Sequence, residues 1–361
     1  MANARTISQR LIAIAAGLGV LLMLTSPSKA QSPPKITIVV DNAWLRRGPS
    51  LTASRTLPVA KGQFYDVLAR TADNAWWQLV VPGQKSGGTW LFADLGVLYS
   101  SSLEAAPVIT PAVTPARRAP SPRAPATPWP AWIPRITPQQ RAIWLNSPRL
   151  GKDLNTFTVV GDCNAQPSVY LRRLASGQFD ASTLEPRLQA IVRRFERSFG
   201  RVSLAAQGGF GAHSMMDPTW ADGALCGTTQ GPFECELWVS RASIVFIALG
   251  TQEQYTWQSF EAHYRPLIEH ALGKGVLPVL MTKADDIETA SGAPPGHINA
   301  VIRKLAQEYQ VPLLDFWAAT RELPNFGLVD EGDKDFHLSE AGKDRRILTT
   351  LQTLAAIVGE R

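Results

Sequence analysis

From residue 156 to the end of the chain, short apolar runs alternate with longer stretches of helical periodicity. The apolar runs predict five strands, at residues 156–160, 202–206, 244–249, 276–281 and 312–316. The helical stretches lie near residues 184–199, 257–272, 298–309 and 339–358. Buried strands separated by helices favour a parallel sheet covered on both faces. We therefore expect a three-layer α/β/α domain with a five-stranded parallel sheet over residues 139–361.

Residues 36–99 have a different pattern, in which short alternating apolar runs are divided by turn residues such as Gly48-Pro49-Ser50. Strands of this length and spacing predict a compact β-barrel. The order of landmarks, from Trp44 through Trp76-Trp77 to Gly88-Thr89-Trp90-Leu91, resembles the bacterial SH3-like (SH3b) domain. The resemblance implies five to seven strands and contact with cell-wall peptide or glycan. Trp44 departs from the asparagine or valine usual in that family.

Residues 100–138 form the predicted linker between these two parts. Ten prolines fall between Pro107 and Pro138, interleaved with Ala, Thr, Ser and Arg. Such a segment favours extended conformations and cannot bury a core, so it predicts a semi-rigid spacer. We expect a cut within residues 112–128 to leave two folded fragments.

The first thirty residues have the pattern of a secretory signal peptide. Arg5 and Arg10 precede an apolar run at residues 11–25, and Ser28-Lys29-Ala30 offers small residues at a cleavage site. The run is short for a membrane-spanning helix, which needs about 20 residues, and no other stretch reaches that length. The alternative is an uncleaved N-terminal anchor. Both interpretations predict an extracytoplasmic protein of a bacterial-type cell envelope.

Charge and cysteine content narrow the function classes. The formal net charge is +6, but residues 139–361 hold 22 basic and 25 acidic residues, so a nucleic-acid groove is not supported. In an oxidising compartment, Cys226 and Cys235 predict a disulfide that closes a small loop, and Cys163 stays reduced. The sequence has no pattern typical of a metal site or of a cofactor, so we expect neither.

Polar residues follow several predicted strands at the point where each strand ends. Gly161-Asp162-Cys163-Asn164 follows the first strand, and Gly209 and Gly211 follow the second. Gln252 and Glu253 follow the third. Ligands of such sheets bind at the carboxyl ends of the strands, so these residues are expected at one site. His337 lies just before the last helix, two residues after Asp335 and four residues after Asp333.

The order of these segments resembles the SGNH (GDSL-type) hydrolase family, from about residue 157 to the end of the chain. That family carries Gly-Asp-Ser, a glycine, Gly-x-Asn-Asp and a late Asp-x-x-His in this order. The resemblance implies a flavodoxin-like α/β/α fold and ester hydrolysis. Cys163 stands in place of serine, Gln252 in place of asparagine and Glu253 in place of aspartate. Lys334 stands three residues before the histidine, where the family has aspartate.

The expected roles follow from the requirements of acyl transfer, which needs a nucleophile, a base and donors for the oxyanion. Cys163 is the predicted nucleophile, in a thiolate form favoured by its position at the start of a helix. His337 is the predicted base, oriented by Asp335 or Asp333. The predicted oxyanion donors are the Cys163 N–H, the N–H of Gly211 or Gly209, and the Gln252 amide, and the supporting residues are Asp162 and Glu253.

We therefore predict an exported hydrolase that cleaves an acyl or acetyl ester on an envelope or extracellular polysaccharide or lipid. The alternative is a non-catalytic binding module that kept the pocket and lost turnover. A third interpretation is a redox-active Cys163, which has no resolving cysteine beside it.

Overall fold

The computed structural model describes residues 32–84, 89–99, 102–110, 129–330 and 336–359. The predicted signal peptide, residues 111–128 of the predicted linker, and the pair Asp333 and Asp335 lie outside the described residues. Pro33–Arg361 forms one compact unit. Within the described residues, no helix is both long enough and apolar enough to span a bilayer.

Among the described residues, the N-terminal part is an antiparallel sheet of seven strands. They are β1 (Lys35–Ile38), β2 (Ala43–Arg46), β3 (Arg55–Val59), β4 (Phe64–Arg70), β5 (Trp76–Val80), β6 (Trp90–Phe92) and β7 (Gly96–Leu98). Their order in the sheet is β3-β2-β6-β5-β4-β1-β7. Alternation along β1 and β4 buries Ile36, Ile38, Val67 and Ala69, which is why the expected small β domain forms here.

The C-terminal part contains a parallel sheet flanked by helices. Its strands are β8 (Asp153–Gly161), β9 (Ala242–Ala248), β10 (Leu277–Met281) and β11 (Leu313–Leu314), in the order β11-β10-β9-β8. The helices are α1 (Pro138–Asn146), α2 (Arg172–Ser176), α3 (Pro186–Arg194), α4 (Glu196–Gly200), α5 (Pro232–Ser240), α6 (Phe260–Gly273), α7 (His297–Glu308), α8 (Phe316–Thr320) and α9 (Glu340–Val358). Every residue of β9 and β10 is buried, as the continuous apolar runs predict.

The two faces of the parallel sheet bury different helices. Phe157 and Phe246 face the apolar cluster that contains α3 and α9. Val160 and Ile247 face a second cluster, which contains α5, α6 and α7. The sheet therefore lies between two helical layers, and the expected three-layer arrangement is confirmed.

The expected fifth strand, at residues 202–206, is wrong. This segment contacts β8 only through an isolated bridge between Gly161 and Ala206. The Leu204 N–H donates to the carboxylate of Glu236 at 2.9 Å, and the Ala205 N–H donates to the Ser203 hydroxyl at 3.2 Å. Side chains satisfy the donors that a ladder would use, so among the described residues the parallel sheet has four strands.

The β domain packs directly on the α/β domain. Arg46 of β2 is completely buried, and its guanidinium donates to the backbone oxygen of Leu174 at 3.1 Å. Arg55 pairs with Asp180 at 2.7 Å, and the Leu51 N–H donates to Glu196 at 2.7 Å. These contacts place residues from both sides of the predicted linker in one apolar core.

Candidate active site

The carboxyl end of β8 presents Cys163 at a tight turn. A side-chain carbon on Gly161 would overlap the backbone oxygen of Ala248, so only glycine lets β8 and β9 approach this closely. Asp162 then caps a short 3₁₀ helix, Cys163–Ala165, by accepting the Asn164 N–H at 3.0 Å. This turn leaves Cys163 half-buried and reduced, at the strand end where the sequence predicts it.

The charges around Cys163 oppose the predicted thiolate. Burial, together with the neighbouring Asp162 carboxylate, raises the pKa of the Cys163 thiol to about 12. Burial also raises the pKa of Asp162 itself to about 6, and the nearby Asp285 adds to this shift. Desolvation thus outweighs the hydrogen bonds of the short helix and disfavours the predicted thiolate. The thiol has to lose its proton to a base during any attack.

Asn164 joins the turn at Cys163 to the segment that carries His337. Its side-chain amide donates to the backbone oxygen of Phe336 at 2.8 Å. Its carbonyl oxygen accepts the Leu338 N–H at 3.1 Å. Both backbone neighbours of His337 are thus bonded to the residue that follows Cys163. The structure therefore brings the predicted nucleophile and the predicted base to the same edge of the sheet.

The His337 side chain is exposed and its ring packs on Phe336, with the ring centroids 4.3 Å apart. Its backbone oxygen accepts the Val329 N–H at 2.9 Å, which pairs this segment with the chain around Leu328. The described residues contain no hydrogen bond between His337 and Cys163. Asp333 and Asp335, the two predicted orienting carboxylates, lie outside the described residues.

The predicted oxyanion donors differ in their hydrogen bonding, backbone conformation and exposure. The Gly211 N–H donates to the Ser214 hydroxyl at 3.1 Å and is therefore engaged. Gly209 has a φ of +90° and open space on its side-chain face. Gln252 is exposed at the start of a 3₁₀ helix, Gln252–Tyr255. Gly208, which the sequence analysis did not select, lies beside Cys163, because a side-chain carbon there would be 3.8 Å from Cys163 Cβ.

Glu253 ties the glycine-rich loop to the end of β9. It is buried, and its Oε1 accepts the Ala212 N–H at 2.5 Å. Its Oε2 is buried without a hydrogen-bond partner. Burial raises the pKa of Glu253 to about 7, so it carries a proton for much of the time near neutral pH. Glu253 therefore supports the glycine-rich loop through the Ala212 N–H.

Several buried polar residues behind Cys163 were missed by the sequence analysis. Arg346 of α9 donates to the backbone oxygen of Asn164 at 2.6 Å. The Thr251 hydroxyl donates to Asp285 at 2.9 Å, and Asp285 pairs with the Lys283 ammonium at 2.6 Å. Arg346 in the middle of α9, and Lys283 and Asp285 after β10, gave no local signal. Asn164 and Thr251 had one, because they directly adjoin the selected residues Cys163 and Gln252.

One wall beside the site is built from the irregular segment after Gly211. The predicted disulfide between Cys226 and Cys235 is confirmed, and it fastens this segment to α5. Trp220, 42% exposed, packs edge-on against Phe210 and His213. The wall is therefore aromatic, adjoins the glycine-rich loop and is held by a covalent bond. Within the described residues, no cluster of three His, Cys, Asp or Glu side chains is suited to hold a metal ion.

Fold and site together define an α/β protein with a cysteine nucleophile candidate at the carboxyl end of its first parallel strand. No family model and no curated protein matches the sequence. Solved structures that the chain resembles include the psychrotrophic esterase EstA of Pseudoalteromonas sp., at 14% identity and a TM-score of 0.36 over 57% of this chain and 100% of that one. The acetylxylan esterase Axe2 of Geobacillus stearothermophilus matches at 15% identity and a TM-score of 0.36, over 55% and 93%.

Proposed function

We propose that this chain is an exported ester hydrolase in which Cys163 attacks an acyl or acetyl carbonyl and His337 accepts the thiol proton. The observation that carries the proposal is the double hydrogen bond of Asn164 to Phe336 and Leu338. It holds the histidine segment beside the nucleophile turn. A nucleophile and a base on one rigid edge are what acyl transfer requires.

The raised thiol pKa determines how the base has to act. At neutral pH the Cys163 thiol is protonated. His337 therefore takes the proton as the sulfur bonds to the carbonyl carbon and later returns it to the leaving alcohol. Water then releases the acyl group from sulfur. In this proposal Asp335 or Asp333 orients the imidazole.

The oxyanion that forms on the carbonyl oxygen needs donors that no other acceptor uses. The hydrogen bonds of the described residues leave the N–H groups of Cys163, Gly208 and Gly209 without an acceptor. Donors of this kind are typically worth about 10²-fold or more in rate. We propose that these backbone groups form the oxyanion hole, with the Gln252 amide closing from the solvent side.

The substrate we propose is an ester on an envelope or extracellular polysaccharide or lipid. Two features support this class: the export signal read from residues 1–30 and the aromatic wall at Trp220, which suits a sugar ring or an acyl chain. Contact of the β domain with the cell wall belongs to the same proposal.

The experiment is hydrolysis of a panel of p-nitrophenyl esters of short acids. We expect Cys163→Ala and His337→Ala to abolish turnover without loss of folding, and Cys163→Ser to be slower by about 10²-fold. His263→Ala, at another exposed histidine, is the matched control and should keep wild-type rates. A wild-type protein that is inert on the whole panel, and stays inert as Cys163→Ser, would contradict the proposal.

The second candidate is a non-catalytic binding module, and the raised pKa of Cys163 favours it. If the cysteine marks a lost activity, Cys163→Ser should gain esterase activity over the wild type. A thiol-directed probe separates the two cases further. Labelling of Cys163 that depends on His337 supports the enzyme, and labelling that is indifferent to His337→Ala supports the binding module.

A further inference from the structure

A second cavity lies at the opposite end of the parallel sheet from Cys163. It has a volume of about 310 Å³ and lies between α5, α6 and the segment before β8. Lys152 directly precedes β8, whereas Cys163 follows it. At about 3.3 Å per residue the strand puts roughly 30 Å between the two ends. The cavity is therefore separate from the candidate active site.

The floor and one side of the cavity are apolar. Trp238 of α5 is 64% exposed, and Leu150 beside it is 60% exposed. Most of α5 is buried. An indole this exposed on it keeps apolar surface in contact with water and contributes little to the core. The flat indole gives the cavity one face on which a ring can stack.

The other side of the cavity carries charged and polar groups. The Lys152 ammonium donates to the backbone oxygen of Leu237 at 2.8 Å, which leaves two of its three protons for a ligand. Lys274 lies near it. Burial, and then the positive charges of Lys274 and Arg241, lower the pKa of Lys152. Glu234 is 3.4 Å from His270 Nδ1, and Gln230 offers its amide N–H groups. Two lysines against one glutamate make the cavity electropositive.

We propose that this cavity binds an acidic sugar unit of a polysaccharide, with the pyranose ring on Trp238 and its carboxylate at Lys152 and Lys274. A pyranose has an apolar face and a rim of hydroxyls. Glu234 and Gln230 supply an acceptor and a donor for that rim. The volume, at the low end of the range for ligand sites, fits one or two sugar units. An acidic peptide lacks the flat apolar face that the indole would cover.

The site is fastened in place independently of a ligand. Cys235, next to Glu234 on α5, carries the disulfide to Cys226, and Phe233 packs edge-on against His270. Trp238 and Glu234 are one helical turn apart, so both project to the same face of α5. A preformed cavity of this kind loses little conformational entropy when it binds.

The test is calorimetric titration of the full chain with tetragalacturonate, cellotetraose and a short polyglutamate. We expect tetragalacturonate to bind, with an affinity that falls as salt rises. Trp238→Ala should weaken it by about tenfold or more, and Lys274→Gln by about threefold. Val239→Ala on the same helix and Lys61→Gln in the β domain are matched controls that should bind as the wild type does.

The proposal is overturned if tetragalacturonate does not bind, or if it binds Trp238→Ala as tightly as the wild type. Cellotetraose that binds as tightly as tetragalacturonate would contradict an acidic ligand. Polyglutamate that binds as tightly as tetragalacturonate would contradict a sugar ligand. None of these ligands carries an ester, so the result is independent of esterase activity. Trp238 is mostly exposed, so its truncation is expected to leave the melting temperature unchanged.

Discussion

At the scale of single residues, Asn164 holds the site together. It is buried, and both ends of its amide are used by the backbone on either side of His337. Its own backbone oxygen is held by Arg346. A short polar side chain with one donor end and one acceptor end is the only kind that satisfies Phe336 and Leu338 at once.

We expect Asn164→Ala to lower kcat of short-ester hydrolysis by about 10²-fold, because a small displacement of the base is enough for such a loss. Asn164→Asp keeps the acceptor for the Leu338 N–H, so its kcat should lie between those of the wild type and Asn164→Ala. Kinetics should be read with thermal melts, and Asn155→Ala, at the exposed start of β8, is the control. An unchanged kcat in a folded Asn164→Ala would show that the amide does not position His337.

Glu253 makes a second residue-scale prediction, about pH. Its pKa is about 7 in the folded chain and about 4.5 in the unfolded chain. As pH rises from 4.5 to 7, the unfolded chain releases this proton while the folded chain keeps it, so stability falls. Relative to Glu253→Gln, the wild type should lose about 2–3 kcal/mol over this range.

Urea unfolding at a series of pH values measures that difference. The glutamine carbonyl still accepts the Ala212 N–H, so the variant keeps the contact and removes only the titration. Below pH 4 the two proteins should follow the same slope. Parallel curves from pH 4.5 to 7 would show that Glu253 does not retain its proton in the folded state.

At the scale of elements, the disulfide and the segment from residue 202 to α5 decide the shape of the wall beside the site. Residues 202–206 satisfy their N–H groups with Glu236 and Ser203 and do not extend the sheet. The chain then runs irregularly until α5. One covalent bond, Cys226 to Cys235, fixes its end. Trp220, in the same segment, packs edge-on against Phe210.

We expect the double variant Cys226→Ser and Cys235→Ser to lose about 2–3 kcal/mol of unfolding free energy, which is the loop-entropy estimate for closing about ten residues. Chemical denaturation of the unreduced wild type and the variant measures this loss. Cys163→Ser should be neutral, because Cys163 is free. Equal sensitivity of the wild type and the variant to a reducing agent would contradict a stabilising disulfide.

At the scale of the whole molecule, the β domain is a structural part of the α/β domain. Arg46 is buried between them, and burial lowers the pKa of its guanidinium to about 10. Gly200 of α4 permits the approach, since a side chain there would overlap Phe92 and Asp94. These contacts lie on the same side of the sheet as α3 and α9.

We expect a protease cut engineered between residues 112 and 128 to leave two pieces that elute together in gel filtration. Arg46→Met removes the donor to Leu174 and Ala53 and leaves their oxygens buried, at a cost of about 1–3 kcal/mol. The nicked Arg46→Met variant should therefore separate at a higher protein concentration than the nicked wild type does. Arg47→Met, at the exposed neighbouring arginine, is the control. Two pieces that separate at once in the wild type would show that the interface does not hold them together.

The sequence by itself determined the order and type of the main elements and the position of Cys163. Apolar periodicity is a local property, so β8, β9, β10 and the long helices follow from it. The disulfide pairing also followed from spacing and compartment. Carboxyl ends of parallel strands share one edge, which is why strand-end residues could be singled out before any coordinates were known.

Only the tertiary structure decided the pKa values of Cys163 and Asp162 and the packing of the β domain against the α/β domain. Burial raises the pKa values of Cys163 and Asp162, and the charges of Asp285 and Arg346, which are far apart in sequence, raise and lower them respectively. The buried position of Arg46 depends on Leu174, more than a hundred residues away. Burial is a sum over neighbours that the fold brings together, and no local pattern of residues records that sum.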